Sequence, residues 1–155
     1  MRQNNMATTM AGICVLLFTS AAFGAEKQIK KSDLPPAVQK TADEQSAGAT
    51  VRGYSKDKED GKVEYEVQLI LDGHSKDVTI DLSGKLLEVE EEVALDALPA
   101  NVREGLEKKA GKGKLGKVES ITKQGILVAY EGHVIGGKKS EVQVGPGGQT
   151  LDHEE

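Results

Sequence analysis

Tryptophan is absent from the chain, and both phenylalanines, Phe18 and Phe23, fall within its first 24 residues. Beyond that point the only aromatics are Tyr54, Tyr65 and Tyr130. A core must therefore rest on Val, Leu, Ile and Ala. The single cysteine, Cys14, also lies in the N-terminal stretch. The remainder has no disulfide to staple it, no thiolate nucleophile and no cysteine-ligated zinc. A surplus of positive charge is missing too: 20 Lys and Arg face 25 Asp and Glu, a net charge of −5. No basic stripe with interleaved aromatics occurs, which argues against nucleic acid as a partner.

Long apolar runs are lacking as well. The longest, Met10–Phe18, falls short of the roughly 20 residues that a spanning helix needs. Arg2 is the only charge before Glu26, and small residues follow the run at Thr19–Gly24. A basic start, a short apolar core and a small-residue site read as a secretory signal peptide over 1–24, cleaved after Gly24. Ile13 precedes Cys14 and the apolar stretch continues past it, which is the wrong context for lipidation. The expectation is a periplasmic or secreted protein with no stable membrane span after cleavage. The charge beyond the signal is uneven. Residues 25–93 hold 10 basic and 16 acidic side chains, residues 94–155 nine of each.

What is present is an internal repeat with an offset of about 64 residues. Leu34-Pro35-Pro36-Ala37-Val38 lies over Leu98-Pro99-Ala100-Asn101-Val102. Asp77-Val78-Thr79-Ile80-Asp81 lies over Glu141-Val142-Gln143-Val144-Gly145, and Gly84-Lys85-Leu86-Leu87 over Gly148-Gln149-Thr150-Leu151. Tyr65-Glu66 matches Tyr130-Glu131 with one residue of slippage. Each copy is expected to open with a helix. Pro36 suits a first helical turn, with Ser32 or Asp33 as a polar partner before it. Leu34, Val38 and Ala42 form one apolar stripe, and Gly48 can end it. Pro99, the stripe Leu98, Val102, Leu106 and Ala110, and Gly111 repeat the plan.

Strands follow. Val63, Tyr65, Val67, Leu69 and Leu71 alternate with Glu64, Glu66, Gln68, Ile70 and Asp72, a period of two. Asp72-Gly73 is a tight-turn signal. Val78, Ile80 and Leu82 extend the apolar face, then Leu87, Val89 and Val93, with a shorter strand near Val51 and Tyr54. The second copy predicts strands near Val118–Lys123, Ile126–Ile135, Lys138–Val144 and Gln149–Asp152. The expected fold is α+β: two tandem repeats, 25–93 and 94–155, each one N-terminal helix on a four-stranded antiparallel sheet. In the first repeat the face away from the helix carries Glu64, Glu66, Glu88, Glu90 and Glu92, open to water or to a partner.

Glu64–Gly73 followed by Asp77–Leu87 resembles the PepSY pattern: a Tyr-x-Val strand, a Gly turn, a strand ending in Asp, and a Gly-Lys turn into a last strand. The Leu-Pro-x-x-Val helix opening of both copies resembles the beta-lactamase-inhibitor-like branch of that group. The resemblance covers most of 33–153 and departs at Gly145-Pro146. It implies tandem helix-plus-sheet units in an exported protein, of a kind known to hold peptidases inactive or to grip an enzyme with a concave sheet face.

Nucleophilic catalysis fails on inventory. No Gly-x-Ser-x-Gly occurs, and the only imidazoles are His74, His133 and His153. Ser75, His74 and Asp72 or Asp77 can be drawn as a triad, but neighbours on a strand point to opposite faces. Asp152-His153-Glu154-Glu155 and Asp57, Glu59, Asp60 offer metal ligands. They read more simply as a solvated tail and an acidic turn, the latter without the closing glutamate of a calcium loop. Lys108, Lys109, Lys112, Lys114 and Lys117 suit a basic helix end and loop, with an anionic lipid or polymer contact as the sharper alternative. No motif calls for a cofactor or a bound metal.

The reading is an exported non-catalytic binding module, an inhibitor or modulator of a peptidase or another envelope protein. Glu64, Glu66, Glu88, Glu90 and Glu92 are its partner face. The alternative is a structural or sensory envelope protein that binds a small ligand or a cation. The alternating pattern leaves the oligomeric state open.

Overall fold

A computed structural model describes residues 26–59 and 61–153, with the side chain of Glu59 excepted. The expected signal segment 1–24, Asp60, Glu154 and Glu155 lie outside the described residues. Among the described residues no helix is long and apolar enough to cross a membrane.

The chain runs β1 (Lys27–Ile29), a 3-10 turn (Lys31–Asp33), α1 (Pro36–Gln45), β2 (Thr50–Glu59), β3 (Lys62–Leu71), β4 (His74–Asp81) and β5 (Leu86–Val93). Then come α2 (Ala100–Ala110), β6 (Lys114–Lys123), β7 (Ile126–Ile135) and β8 (Glu141–Val144). All eight strands form one antiparallel sheet in sequence order. It is an α+β architecture in two layers, with both helices on one face.

The helices form where the apolar stripes require them. Pro36 occupies the first turn of α1, where its missing N–H goes unused. Val38 and Ala42 are fully buried, with Leu34 just ahead of the helix. They pack on Tyr65, Val67, Leu69, Val78 and Ile80. On α2, Val102, Leu106 and Ala110 pack with Leu98 on Leu115, Val118, Val142 and Val144. Burying each such side chain contributes about 1.5–3 kcal/mol, so these two clusters carry most of the fold. Val78 faces Val89 on β5, and Val93 faces Val118 on β6. The two clusters therefore share one side of a continuous sheet.

Several expectations are corrected. The sheet is not split into two: β5 and β6 pair from Glu88↔Lys123 to Val93↔Val118. The short strand near Val51 and Tyr54 is the ten-residue β2. β1 escaped notice, since Lys27-Gln28-Ile29 is too short and polar to show a period. The strand placed at Lys138–Val144 begins only at Glu141. No strand forms at Gln149–Asp152. Leu151 is the only apolar residue after Gln149, so nothing there matches Leu86, Val89 and Val93 of β5. Asp33 does not cap α1; it accepts the Lys30 N–H within the 3-10 turn.

Contacts recur at the 64-residue spacing. Asp81 N–H donates to Lys85 O, and Gly84 N–H to Asp81 O. Gly145 N–H donates to Gln149 O, and Gly148 N–H to Gly145 O. Both turns press on the first turn of a helix. A Cβ at Gly84 would stand 2.7 Å from Ala37 O, and one at Gly148 2.1 Å from Asn101 O. Both glycines also take positive φ, 87° and 77°. Thr41 Oγ1 donates to Gly84 O at 2.6 Å, and Asn101 Nδ2 to Gly147 O at 2.8 Å.

This close approach is testable. Gly61 has a positive φ of 82° but nothing within 4 Å of its added Cβ. Gly61→Ala should cost only the left-handed backbone strain, about 1–2 kcal/mol. Gly84→Ala and Gly148→Ala should each cost a further 1–3 kcal/mol, roughly, from overpacking. Equal losses for all three in urea denaturation would show that the turns do not press on the helices.

Candidate functional site

Strand alternation places a second set of side chains on the face without helices, and the register puts them in cross-strand rows. One row runs Ser55, Glu66, Thr79, Glu88, Lys123 across β2 to β6. A second runs Gln68, Asp77, Glu90, Ile121, Ala129 across β3 to β7. A third runs Glu92, Glu119, Glu131, Gln143 across β5 to β8. Asp77 thus stands opposite Glu90, Glu92 opposite Glu119, and Glu119 opposite Glu131.

No described element packs over this face, yet Ser55, Glu119, Ile121, Ala129 and Gln143 are buried there. Register shifts lie in β2 at Val51/Gly53, between β4 and β5 at Thr79/Ile80, and between β6 and β7 at Leu115/Val118 and Ile121/Thr122. Such irregularities bend strands and increase twist. Side chains of neighbouring strands shield one another across the close register.

Burial dominates the electrostatics. It pushes the Glu90 carboxyl up to about 9, assisted by a shared hydrogen bond with Glu88 and by the charges of Glu88, Glu119 and Glu131. It raises Glu66 to about 7, against the opposing hydrogen bond from Gln68 Nε2 at 2.8 Å. Asp77 rises to about 6 through burial and the charge of Glu119, with Lys117 opposing. Burial also raises Glu131, whose Oε2 accepts from Gln143 Nε2 at 2.8 Å.

Glu119 goes the other way. Burial alone would raise it, but Lys117 Nζ at 2.7 Å and His133 Nε2 at 3.1 Å outweigh burial and hold it ionised. The same contact raises His133, against its own burial. Glu92 is kept low chiefly by the Ser75 N–H, which donates to it at 3.0 Å. Lys123 lies 3.5 Å from Glu88.

All five carboxylates expected on this face are there. Glu64 sits at the outer end between Asp57 and Asp81. The expectation that they all stand open to water needs correction, because Glu66 and Glu90 are largely sunk between neighbours. Asp77, Lys117, Glu119, Glu131, His133 and Gln143 join them, a placement that the strand pattern of the first repeat alone does not reveal. The internal repeat held the signal. At offsets of 64 and 65 residues, Ser55, Glu66, Gln68, Asp77 and Thr79 correspond to Glu119, Glu131, His133, Glu141 and Gln143. The pairings agree: Ser55↔Glu66 with Glu119↔Glu131, Glu66↔Thr79 with Glu131↔Gln143, Gln68↔Asp77 with His133↔Glu141.

Other candidates disperse. Ser75 Oγ meets Glu92 and Glu119, while His74 lies exposed 3.7 Å from Glu92. Asp57 accepts the N–H of Lys58, and Asp152 and His153 are exposed. The lysines form no single patch: Lys109 ties α2 to Gln143 O at 2.7 Å, whereas Lys117 serves the carboxylate face.

No family model matches the chain, and no curated protein matches it. Solved structures do. A BLIP-like protein from Bacteroides fragilis is 23% identical, with 79% of this chain and 86% of that chain covered and a TM-score of 0.58. A Bacteroides eggerthii protein assigned to the periplasm is 18% identical, covering 76% and 85%, TM-score 0.59. A DUF2874 family protein from Bacteroides ovatus is 19% identical, covering 76% and 84%, TM-score 0.58. The shared property is the fold, that of BLIP-like and DUF2874 proteins.

The raised Glu66 makes a pH prediction. Its ordinary value is 4.5 and its value in the fold about 7. The fold therefore holds a proton that the unfolded chain has released. The contribution of Glu66 to stability is complete below 4.5 and is lost as pH rises through about 7. Glu66→Gln keeps an acceptor for Gln68 and removes the titration. It should stabilise the protein by about 1–3 kcal/mol near pH 8 and leave it unchanged near pH 4. An unchanged melting temperature near pH 8 would show that Glu66 is well solvated.

Proposed function

We propose that the chain is an exported, non-catalytic binding module that grips a basic segment of a protein partner across the carboxylate face. The observation carrying this reading is the set of opposed carboxylates on a sheet face that no described element covers. Cationic side chains from a partner would relieve their repulsion and replace the lost hydration. The partner we infer is a peptidase or another envelope protein whose activity the contact inhibits or modulates. The BLIP-like fold supports that inference by analogy. So does the periplasmic assignment of the Bacteroides eggerthii protein.

The reading includes its domain plan: residues 1–24 a signal peptide, 25–93 and 94–155 two diverged PepSY-like copies. The matched turns at Gly84 and Gly148 and the matched strand pairings support the duplication. In this plan the copies are fused edge to edge through β5 and β6. Glu64, Glu66, Glu88, Glu90 and Glu92 are the first copy's share of the partner surface, and Glu119, Glu131 and Gln143 are the second copy's. The alternative, a structural or sensory envelope protein that binds a small ligand or a cation, is favoured at one place and for the cation, where His133 joins the carboxylates.

Two outcomes are expected. N-terminal sequencing of the exported protein should begin Ala25-Glu26-Lys27; a start at Met1 or Met6 would remove the signal-peptide assignment. The chain should also retain one stoichiometric protein from an envelope extract. At pH 8, above the raised value of Glu66, Glu66→Gln/Glu92→Gln should then slow association at low salt and flatten its salt dependence. Unaltered association at both low and high salt would exclude this face.

A further inference from the structure

The two halves of the sheet place different chemistry at matching positions. Where β2 and β3 set Ser55, Glu66 and Gln68 together, β6 and β7 set Glu119, Glu131 and His133. A serine is replaced by a carboxylate and an amide by an imidazole. The first trio holds one metal-binding side chain; the second holds three, their donor atoms all within 4.8 Å of one another. We propose that Glu119, Glu131 and His133 bind one divalent transition-type cation, Zn²⁺ being the best fit.

The geometry supports a coordination site in two ways. His133 Nε2 stands 3.1 Å from Glu119 Oε2, close to the edge of about 3.3 Å expected between ligands of a tetrahedral zinc with bonds of 2.0–2.1 Å. Each side chain is also held from outside the trio by its other polar atom. Glu119 Oε1 lies 2.7 Å from Lys117 Nζ, His133 Nδ1 lies 3.5 Å from Glu141 Oε1, and Glu131 Oε2 accepts from Gln143 Nε2 at 2.8 Å. Carboxylate and amide partners of this sort orient ligands and strengthen histidine as a donor. The His133–Glu119 contact opens to admit the ion, while Lys117, Glu141 and Gln143 stay where they are.

The donors select the ion. One imidazole with two carboxylates suits Zn²⁺, whereas Ca²⁺ and Mg²⁺ take oxygen ligands alone. Two carboxylates balance the charge of one divalent ion. Three protein donors leave a fourth position for water. The trio is reachable through His133, whose side chain is 24% exposed, against 5% for Glu119. Glu119 and Glu131 also belong to the proposed partner face, but the protein-binding reading requires no metal and the metal site requires no partner.

Calorimetric titration of the untagged, metal-free full chain with Zn²⁺ tests this, with Ca²⁺ in parallel and Co²⁺ as a spectroscopic probe. One equivalent of Zn²⁺ should bind, and Co²⁺ should give visible absorption bands of four-coordinate intensity. His133→Gln and Glu131→Gln should abolish the Co²⁺ bands, and Glu141→Gln should weaken Zn²⁺ binding about tenfold. His74→Gln and His153→Gln should leave binding unaltered. Circular dichroism confirms that each variant is folded. If His133→Gln does not fold, Glu131→Gln and Glu141→Gln still decide the matter. Absent Zn²⁺ binding, Zn²⁺ binding that survives Glu131→Gln, or a preference for Ca²⁺ would overturn the proposal.

Discussion

Like charges standing directly opposite one another across paired strands are the constraint to which the helix-free face answers. Asp77 against Glu90, Glu92 against Glu119 and Glu119 against Glu131 work against the sheet. The chain cannot slip to escape them. A shift of one residue would turn every apolar side chain of β3, β4 and β6 away from the helices and drive the carboxylates into the core. Val67, Val78 and Val118, essentially without exposure under α1 and α2, thereby hold the acidic rows in place.

The face meets this repulsion in three ways. Protons answer it at Glu66 and Glu90, where burial makes ionisation costly. Internal cations answer it at Glu119, which stays ionised because Lys117 and His133 both reach it. Neutral donors answer it at Glu92, Glu66 and Glu131, through the Ser75 N–H, Gln68 and Gln143. All three are partial, because opposed carboxylates remain. An added cation, whether a basic side chain of a partner or a metal ion, would act on that remainder. A single electrostatic feature thus underlies both the protein-binding and the metal-binding proposals.

Much of the fold was legible because helix and strand periods are local. The stripe Leu34, Val38, Ala42 and the alternation from Val63 to Leu71 gave the right elements and faces. The repeat led to matching helices and turns. The same logic overreached at Gln149–Asp152, where the turn recurs without an apolar run to follow it. It also missed β1, which exists only because β2 offers it a partner from Tyr54 to Lys56. For the site, alternation placed Glu64, Glu66, Glu88, Glu90 and Glu92 on one face. That Glu119, Glu131 and His133 come together was not legible, since nothing local marks residues on two strands as neighbours.

The sequence by itself determined which side chains share a face, because the strand period of two and the helical stripe need only residues close along the chain. It also determined that no thiol chemistry is available beyond Cys14. Only the tertiary structure decided that β5 pairs with β6 and merges the two halves into one sheet. Only the pairing across strands decided which carboxylates are sunk and which stay wet. Charge state depends on distances across strands and on shielding from water, and both arise from the cross-strand register. For that reason Glu66, Glu90 and Glu119, alike as residues on one face, come to hold their protons so differently.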